Sequence, residues 1–514
     1  MIGAECLLRT LLANRVDLCL MNPGTSEMQF VSALDRVPEM RAVLALYEGV
    51  CSGAADGYAR MSGKPAATLL HLGPGLANAL SNLHNARKAL SPVINIVGEH
   101  ATAHLRYDAP LTADIEAFAR PVSAWVRTVE RAGAMGEATS AAVAAALGPP
   151  GRVATLIVPA DFSWREAGAP GASVPACVRP LPASEQVRGA ADALRSGQKV
   201  ALLLAGSTLQ ARGLAAAERI RTATGARIFA HRYAARTTRG TGIPAVERIP
   251  YFPEAAQALL AEFERLILVE ARPPISFFGY PHTRSTLAPE NCRFDVLASE
   301  EQDGAAALEL LADELGAPPS ECASATRAVL PAGEPLNAGT VGRAVGALLP
   351  EGAIVADEAV SSAEAILAHL GGAALHDHLP VTGGSIGQGL PVAVGAALAC
   401  PFRKVVALEA DGSGLYTPQA LWTMARERLD VTVVILANRR YRILDIEMQR
   451  TGAGAVGPRA EEMIDLTDPA LDWVRLARGF GVEAVRASNA DEFIREFQAA
   501  MQERGPRLIE AVFG

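Results

Sequence analysis

Short apolar runs, each followed by turn residues and then by a helix-like segment, recur along the whole chain. The first third contains DLCLMNPG, AATLLHLGPG, PVINIVGE and ATLIVPAD, the middle contains VALLLAGS, RIFAHR and LILVEAR, and the last third contains AIVADEA, KVVALEADG, TVVILANRR and RLIEAVFG. Continuous apolar strands that alternate with helices are typical of parallel sheets covered by helices on both faces. The pattern therefore predicts an α/β protein built on doubly wound parallel sheets.

Two segments rich in Ala, Pro and Gly interrupt this alternation. They are EAGAPGASVPACVRPLPAS at 166–184 and APPSECASATRAVLPAGEP at 317–335. Their composition is typical of linkers, and 514 residues are too many for a single core. We therefore predict three α/β domains, at 1–165, 185–316 and 336–514.

Charge and cysteine content narrow the class of protein. The net charge of −8 argues against a nucleic-acid partner. The seven cysteines are dispersed and form no CxxC pair, which indicates reduced thiols in a cytoplasmic protein rather than a disulfide framework or a zinc site. The sequence shows neither a signal-peptide pattern nor an apolar run long enough to span a membrane, so we expect no membrane association.

The stretch LEADGSGLYT places Asp411 and a Gly-Ser-Gly turn at the end of a predicted strand. Glycines there let backbone N–H groups approach an anion, and Asp can bind Mg²⁺ that bridges phosphate oxygens. A tight strand-to-helix turn is the simpler explanation of this stretch alone. The next predicted strand ends in Asn438, 27 positions later, so both side chains are expected at one edge of the sheet. An amide oxygen beside a carboxylate suits a hard cation that shares its site with a diphosphate.

The span from Asp411 to Asn438 resembles the thiamine diphosphate (ThDP) motif, written GDG followed by NN. The resemblance implies that Mg²⁺ is held by Asp411, Asn438 and the backbone carbonyl of Arg440. Ala410 and Ala437 stand where the motif has its first Gly and first Asn, and neither position is a metal ligand in the pattern. The other cofactor contacts that the resemblance implies here are Gly412, Ser413 and Tyr441.

The N-terminal stretch VLALYEGVCSGAADGYARMSGKPA resembles the family segment that carries a catalytic Glu, which places that residue at Glu48. The implied role is a hydrogen bond to the aminopyrimidine of the cofactor, which favours the imino tautomer and so activates the thiazolium. The alternative is that Glu48 lies on the surface of a helix.

The stretch GGSIGQGLPVAVGAALA at 383–399 resembles the family's glycine-rich turn and following helix. The match implies that Ile386 props the cofactor in its bent conformation and that the Gly384 carbonyl accepts the 4′-amino hydrogen bond. Close helix packing would explain such a run equally well. VADEAVSS at 355–362 resembles a diphosphate loop more loosely and gives Ser361 as a candidate.

These motifs cover the chain from end to end and resemble the acetolactate synthase and benzoylformate decarboxylase branch of the family. MNPGTSEMQF implies substrate-contacting roles for Thr25 and Ser26, and LLHLGPG places His71 where one active-site histidine lies. Thr25 and Ser26 could equally cap a helix that begins at Glu27, and His71 could be a satisfied core histidine. In RIPYFPE, Ile249 takes the expected place of a second histidine.

The resemblance implies a ThDP- and Mg²⁺-dependent 2-oxo acid decarboxylase or carboligase that is acetolactate synthase-like. The alternatives are a benzoylformate decarboxylase-like enzyme that does not ligate, and a catalytically idle ThDP-binding paralogue. The stretch EARPPISFFGYP replaces the family's Arg-rich flavin segment, so we expect no FAD. Because the two cofactor-binding domains meet across subunits in this family, a homodimer or homotetramer is expected.

Overall fold

A computed structural model describes residues 1–320, 322, 325–454 and 456–513. Residues 321, 323 and 324 of the second predicted linker, and residues 455 and 514 of the third predicted domain, lie outside the described part. The strands form three separate sheets in which parallel pairing dominates, as the sequence pattern predicts. No described helix has the length and apolar character needed to cross a bilayer.

The first sheet has six parallel strands in the order β2-β1-β3-β4-β6-β5. Its strands are β1 (Leu18–Met21), β2 (Arg41–Leu44), β3 (Ala66–Leu70), β4 (Val93–Glu99), β5 (Trp125–Thr128) and β6 (Val153–Pro159). Its helices are α1 (Gly3–Ala13), α2 (Met28–Leu34), α3 (Glu48–Ser62), α4 (Leu72–Ala89), α5 (Ile115–Ala119), α6 (Met135–Leu147) and α7 (Ala160–Trp164). Strands β3, β4 and β6 are buried throughout because helices cover both faces.

The central sheet has five parallel strands in the order β10-β8-β7-β11-β12. They are β7 (Val200–Leu204), β8 (Arg227–Ala230), β10 (Glu247–Arg248), β11 (Arg265–Val269) and β12 (Arg293–Ala298). The helices are α8 (Ser184–Arg195), α9 (Ala211–Thr224), α10 (Pro253–Leu260) and α11 (Gly304–Glu314). The intervening strand β9 (Thr237–Arg239) leaves this sheet.

The third sheet has the order β17-β18-β16-β15-β13-β14-β9. Its own strands are β13 (Ala353–Glu358), β14 (His376–Pro380), β15 (Val405–Ala410), β16 (Val431–Ala437), β17 (Glu483–Ala487) and β18 (Arg507–Val512). Strand β9 pairs antiparallel with β14, which the prediction of purely parallel sheets did not anticipate. The surrounding helices are α12 (Ala338–Leu348), α13 (Ala363–Leu367), α14 (Gly389–Ala399), α15 (Ala420–Arg426), α16 (Arg442–Arg450), α17 (Pro458–Glu462), α18 (Trp473–Gly479) and α19 (Ala490–Gln502). Because β9 comes from the middle of the chain, the domain limits at 165, 185, 316 and 336 stay predictions.

One apolar core is shared by the first and third sheets. Helices α3 and α14 meet inside it, and their backbones come close because each presents a glycine. A Cβ on Gly57 would overlap the carbonyl of Val392, and one on Gly395 would overlap the carbonyl of Ala54. We call each sheet with its helices a unit: the first, the central and the third. The glycines of GAADGYAR and of GLPVAVGAALA serve this helix crossing, which fixes the third unit against the first.

Candidate active site

The first cluster of polar side chains follows three neighbouring strands of the first sheet. Strands β2, β1 and β3 lie side by side and run parallel, so their carboxyl ends share one edge. Chain segments leaving that edge carry Thr25 and Ser26 after β1, Glu48 after β2, and His71 after β3. The topology therefore brings these four residues, predicted from distant motifs, to a common edge.

Glu48 is the first residue of α3 and is only 6 % exposed, so it does not lie on the helix surface. Its Oε2 accepts a hydrogen bond of 3.0 Å from the amide nitrogen of Asn78 on α4. No basic side chain forms an ion pair with Glu48 in the described part of the chain. The carboxyl group is thus fixed by a neutral donor and stays available for proton exchange with a ligand.

His71 follows β3 directly and is paired with a buried acid. Its Nδ1 lies 2.8 Å from Oε2 of Glu27, which also accepts the N–H of Gly24 at 2.9 Å. Burial raises the pKa of the Glu27 carboxyl, and the neighbouring imidazole opposes that shift. The His71 side chain keeps 20 % of its surface exposed, unlike a fully enclosed core histidine. With Nδ1 engaged, Nε2 is the nitrogen that can meet a substrate.

The alternative capping role of Thr25 and Ser26 is not seen. The short 3₁₀ turn Thr25–Glu27 and the helix after it have no side-chain cap from either residue. Instead the carboxylate of Glu27 accepts the N–H of Gly24. Thr25 is exposed and Ser26 half-buried, so both hydroxyls remain available at the edge that carries His71.

The second cluster follows four neighbouring strands of the third sheet. Strands β16, β15, β13 and β14 are adjacent and parallel. Their carboxyl ends lead to Asn438, to Asp411, to the turn that holds half-buried Ser361, and to the loop that holds Gly384 and half-buried Ile386. Every cofactor candidate predicted from the last third of the sequence therefore lies at one sheet edge.

Asp411 is 2 % exposed and has no basic side chain as an ion-pair partner among the described residues. Its two oxygens accept one backbone N–H each, from Gly412 at 3.0 Å and from Arg439 at 2.6 Å. Burial raises the pKa of Asp411 to about 6, and these two hydrogen bonds only partly offset the effect. A buried carboxylate of this kind would be stabilised by a cation at the same place.

Asn438 and Arg440 complete the set of oxygens beside Asp411. Because the N–H of Arg439 donates to Asp411, the Asn438 loop and the carboxylate are in direct contact. Oδ1 of Asn438 accepts the N–H of Arg440 at 3.0 Å. The Arg440 guanidinium pairs with Asp445 and Glu461, so the charge of this side chain is neutralised away from Asp411. The described residues contain no cluster of three or more His, Cys, Asp or Glu side chains suited to a metal, so a cation here would depend on carboxylate, amide and carbonyl oxygens.

The hydroxyl of Ser413 points into the protein. It donates to Oε1 of Glu409 at 2.5 Å. Glu409 lies opposite Glu358 on the neighbouring strand, and burial raises the pKa of both carboxyls, that of Glu409 further through the charge of Glu358. Glu358 accepts three backbone N–H groups at the start of α14, so the charge belongs on Glu358 and the proton on Glu409.

Helix α4 of the first unit holds the loop that contains Gly384 and Ile386. The amide of Asn85 donates to the carbonyl of Ser385 at 2.7 Å, and the amide of Asn82 donates to the carbonyl of Gly387 at 3.1 Å. Gly384 and Gly387 have φ values of 79° and 89°, which favour glycine. The loop conformation is therefore set jointly by glycine and by side chains from another unit.

The motif GAADGYAR supplies a second link between these units. Arg60 pairs with Asp56 one helical turn away at 2.5 Å and donates to the carbonyl of Pro380 at 2.9 Å. Asp56 also accepts from the side chain of Gln388 at 2.6 Å. Both charges are buried and paired, so α3 is tied to the two ends of the Gly384 loop.

Ile249, which stands in the expected place of a second histidine, lies away from the Gly384 loop. Ile249 is buried in the core of the central sheet, among Phe229, Leu260 and Leu268. The segment EARPPISFFGYP instead brings the ring of Phe277 against Gly384. Ile249 therefore does not line the edge that carries Gly384, and an aromatic ring from a different segment lies there.

Two family models match this chain. Residues 1–118 match "Thiamine pyrophosphate enzyme, N-terminal TPP binding domain", and residues 368–511 match the corresponding C-terminal TPP binding domain. A putative acetolactate synthase large subunit, IlvX, from Mycobacterium tuberculosis is 49 % identical over 99 % of this chain and 98 % of its own length. The chain belongs to the thiamine pyrophosphate enzyme family.

Further relatives of this chain carry the names of two kinds of enzyme in this family. Benzoylformate decarboxylase from Pseudomonas aeruginosa is 29 % identical over 95 % of this chain and 94 % of its own. The E. coli acetolactate synthase isozyme 1 large subunit is 26 % identical over 99 % and 93 %. A ThDP-dependent 4-hydroxybenzoylformate decarboxylase from Rhodococcus jostii superposes with a TM-score of 0.87 at 24 % identity, covering 99 % and 98 % of the two chains, and so shares the fold. The predicted family and fold class are confirmed.

For a ThDP family member, the two clusters offer the chemistry that the cofactor needs. The third sheet offers hard oxygens beside a buried carboxylate that forms no ion pair with a basic side chain among the described residues. The first sheet offers Glu48, a buried carboxyl without a charged partner. The residues at both edges therefore fit thiamine diphosphate.

Sequence reasoning missed five supporting residues. Glu27 and Asn78 contact the predicted residues His71 and Glu48, and the other three hold the loop that contains Gly384 and Ile386: Asn82, Asn85 and Glu358. Glu27 lies within the quoted stretch MNPGTSEMQF, and the expectation that β1 and β3 end side by side would have paired it with His71. The three asparagines face their targets from α4, which no local pattern reveals.

Proposed function

We propose that this protein is a ThDP- and Mg²⁺-dependent 2-oxo acid decarboxylase/carboligase, acetolactate synthase-like, that acts as a homodimer or homotetramer. The observation that carries the proposal is the pair of strand-end clusters in a member of the ThDP family. One cluster holds Glu48, and the other holds Asp411 and Asn438.

Magnesium would be held by Asp411, Asn438 and the carbonyl of Arg440. The carboxylate of Asp411 is buried without a cationic side chain, and Asn438 adds a neutral oxygen at the next strand end. Hard oxygen donors of this kind suit Mg²⁺ that also binds phosphate oxygens. Gly412, Ser361 and Tyr441 would contact the cofactor, whereas the hydroxyl of Ser413 supports the loop through Glu409.

When bound, ThDP supplies a thiazolium carbon that adds to the carbonyl of a 2-oxo acid and accepts the electron pair released as CO₂ leaves. Glu48 would exchange a proton with N1′ of the aminopyrimidine, with Asn78 fixing its Oε2. Gly384 would accept the 4′-amino hydrogen bond, and Ile386 would support the bent shape of the cofactor.

His71 would handle a substrate proton through Nε2. Glu27 binds Nδ1 and so orients the ring, which makes Glu27 a positioning residue. A proton donor of this type also suits release of an aldehyde, so the Glu27–His71 pair favours a benzoylformate decarboxylase-like enzyme as the second candidate. Thr25 and Ser26 lie at the same edge and would contact the substrate carboxylate.

Calorimetry with added Mg²⁺ and ThDP, followed by turnover of pyruvate and benzoylformate with product identification, tests the proposal. Glu48→Gln should retain ThDP binding and lose at least ~100-fold in turnover, because it removes the proton-exchanging group. Equal rates for the variant and the parent would eliminate the role of Glu48. Binding without turnover of any 2-oxo acid would identify an idle paralogue, and aldehyde without hydroxyketone would favour the second candidate.

The subunit arrangement has its own test. We infer from the family resemblance that Glu48 of one copy acts together with Asp411 of a second copy. Mixing inactive Glu48→Gln and Asp411→Asn subunits should then restore about a quarter of parental activity, because half the dimers are hybrids with one intact site each. If both residues act within one chain, the mixture stays inactive.

A further inference from the structure

Two aromatic rings each cover one glycine of the candidate cofactor loops. A Cβ on Gly384 would overlap the ring of Phe277, and one on Gly412 would overlap the ring of Tyr441, whereas one on Gly387 would overlap the Cβ of Tyr416. Tyr416 and Tyr441 belong to the third unit, whereas Phe277 comes from the central unit. The ring against Gly384 is thus the one delivered by a separate part of the chain.

Phe277 is presented by a small hairpin between β11 and β12. The N–H of Leu287 donates to the carbonyl of Pro274 at 3.1 Å, and the N–H of Ser276 donates to the carbonyl of Ser285 at 2.8 Å. Buried Tyr280 fastens the hairpin to α16 by donating its hydroxyl to Glu447 at 3.0 Å. The hairpin is therefore anchored to the central sheet at its base and to the third unit through Tyr280.

Other rings support Phe277 from behind. Its centroid lies 5.5 Å from that of Tyr233, 5.7 Å from that of Tyr251 and 4.6 Å from that of Phe278. These are favourable distances for aromatic pairs. These tilted and edge-to-face contacts fix the ring of Phe277 beside Gly384.

The stretch PPISFFGYP of the hairpin presents an exposed apolar surface. Phe277 is 37 % exposed, Phe278 51 % and Ile275 68 %. The stretch PPISFFGYP contains no charged residue. An exposed apolar surface next to a cofactor loop indicates a contact with a ligand.

We propose that Phe277 and Phe278 form one wall of the substrate site and select 2-oxo acids with an apolar side chain, aromatic or branched, against those with a second carboxylate. The inference rests on the proposed function, because it takes the Gly384 loop to carry the cofactor. An apolar substituent gains by leaving water against these rings. A carboxylate placed against the two rings would lose its hydration without meeting a cationic side chain from the stretch PPISFFGYP.

The test compares kcat/KM for benzoylformate, pyruvate and 2-oxoglutarate in the parent and in Phe277→Ala. We expect the parent to prefer benzoylformate to 2-oxoglutarate at least ~100-fold, and the variant to lose at least ~10-fold of the preference for benzoylformate over pyruvate. The dissociation constant of ThDP should stay within ~3-fold of the parental value, because the wall contacts substrate rather than the diphosphate. Phe294→Ala removes a ring of similar exposure from edge strand β12 and should leave both ratios unchanged.

Phe277→Leu provides a second variant that keeps most of the volume should the Ala variant fold poorly, and it should give an intermediate ratio. Phe277→Arg should raise kcat/KM for 2-oxoglutarate relative to benzoylformate. Two outcomes would overturn the proposed role of Phe277 and Phe278 but not the proposed function. One is parental turnover with unchanged kcat/KM ratios in all three variants, and the other is a parent that prefers 2-oxoglutarate. A parent that binds no ThDP or converts no 2-oxo acid would overturn the proposed function itself.

Discussion

The central and third sheets use the same position, the carboxyl ends of their parallel strands, in opposite ways. In the central sheet, Glu270 follows β11 and fills this position with its own carboxylate. It accepts the N–H and the hydroxyl of Ser207 at 2.8 and 2.6 Å, accepts the N–H of Gly304 at 2.9 Å, and pairs with Arg179 at 2.9 Å. In the third sheet, buried Asp411 accepts two backbone N–H groups and pairs with no basic side chain in the described part of the chain.

This difference indicates which of the two sheets has a carboxyl edge that could bind a ligand. The donors that would bind a phosphate or nucleotide in the central unit, including the N-terminus of α11, are already satisfied by Glu270. The third sheet has a carboxylate that lacks compensation until a cation arrives. The absence of FAD stays a prediction, and the closed central edge supports it.

The largest effect is expected when the proposed metal ligand Asp411 of the third sheet is changed. Asp411→Asn keeps the shape and deletes the charge, so ThDP affinity in Mg²⁺, measured by calorimetry, should fall about 1,000-fold. Asp491→Asn, an exposed change on α19, should leave the affinity unchanged. Parental affinity in Asp411→Asn would show that the two edges do not differ as described.

The next largest effect is expected when Glu270 is removed from the carboxyl edge of the central sheet. Glu270→Ala removes the carboxylate partner of Arg179 and the acceptor of two N–H groups, so the free energy of unfolding of the central unit should fall by about 3 kcal/mol. Thermal unfolding should show this loss, and acetate should restore part of it because it can occupy the vacated place. The exposed Glu262→Ala serves as the control. An unchanged stability would mean that Glu270 does not close the edge.

Acid should lower the stability of the third sheet through His376 on β14. This residue lies opposite Arg239 of strand β9, and burial lowers the pKa of His376 to about 4 from its ordinary 6.5. The folded state then binds fewer protons than the unfolded state, so stability is full above pH 6.5 and falls as the pH drops toward 4. Between pH 7.5 and 5 the loss should reach about 2 kcal/mol.

Unfolding measured across that range should give a shallower slope in His376→Gln than in the parent. His369→Gln, at a half-buried position after α13, should keep the parental slope. Equal slopes in His376→Gln and the parent would rule out this assignment.

The smallest effect is expected for Arg440→Ala, which distinguishes the role of the main-chain carbonyl from that of the side chain. The proposed metal contact is the carbonyl, while the guanidinium pairs with Asp445 and Glu461 on the exposed side. Arg440→Ala should therefore change ThDP affinity by no more than about 3-fold. A loss comparable with that of Asp411→Asn would assign the side chain a direct part in binding.

The sequence was sufficient for the fold class and for the strand ends that carry the two clusters. Apolar runs mark β15 and β16, and their spacing fixes Asp411 and Asn438 at neighbouring ends because consecutive parallel strands with one helix between them usually lie side by side. The place of Ile249 came from the resemblance alone, and its burial in the core of the central sheet depends on packing between elements that lie far apart along the chain.

By itself, the sequence determined the α/β architecture, the family and the residues available for chemistry, because strand periodicity and glycine-rich turns are local properties of the chain. Only the tertiary structure decided that Glu27 orients His71, that β9 joins the third sheet, that Glu270 closes the central edge and that Phe277 covers Gly384. Each of these contacts joins residues that lie far apart along the chain or in different units. Their geometry follows from how the sheets and helices pack, which no local pattern encodes.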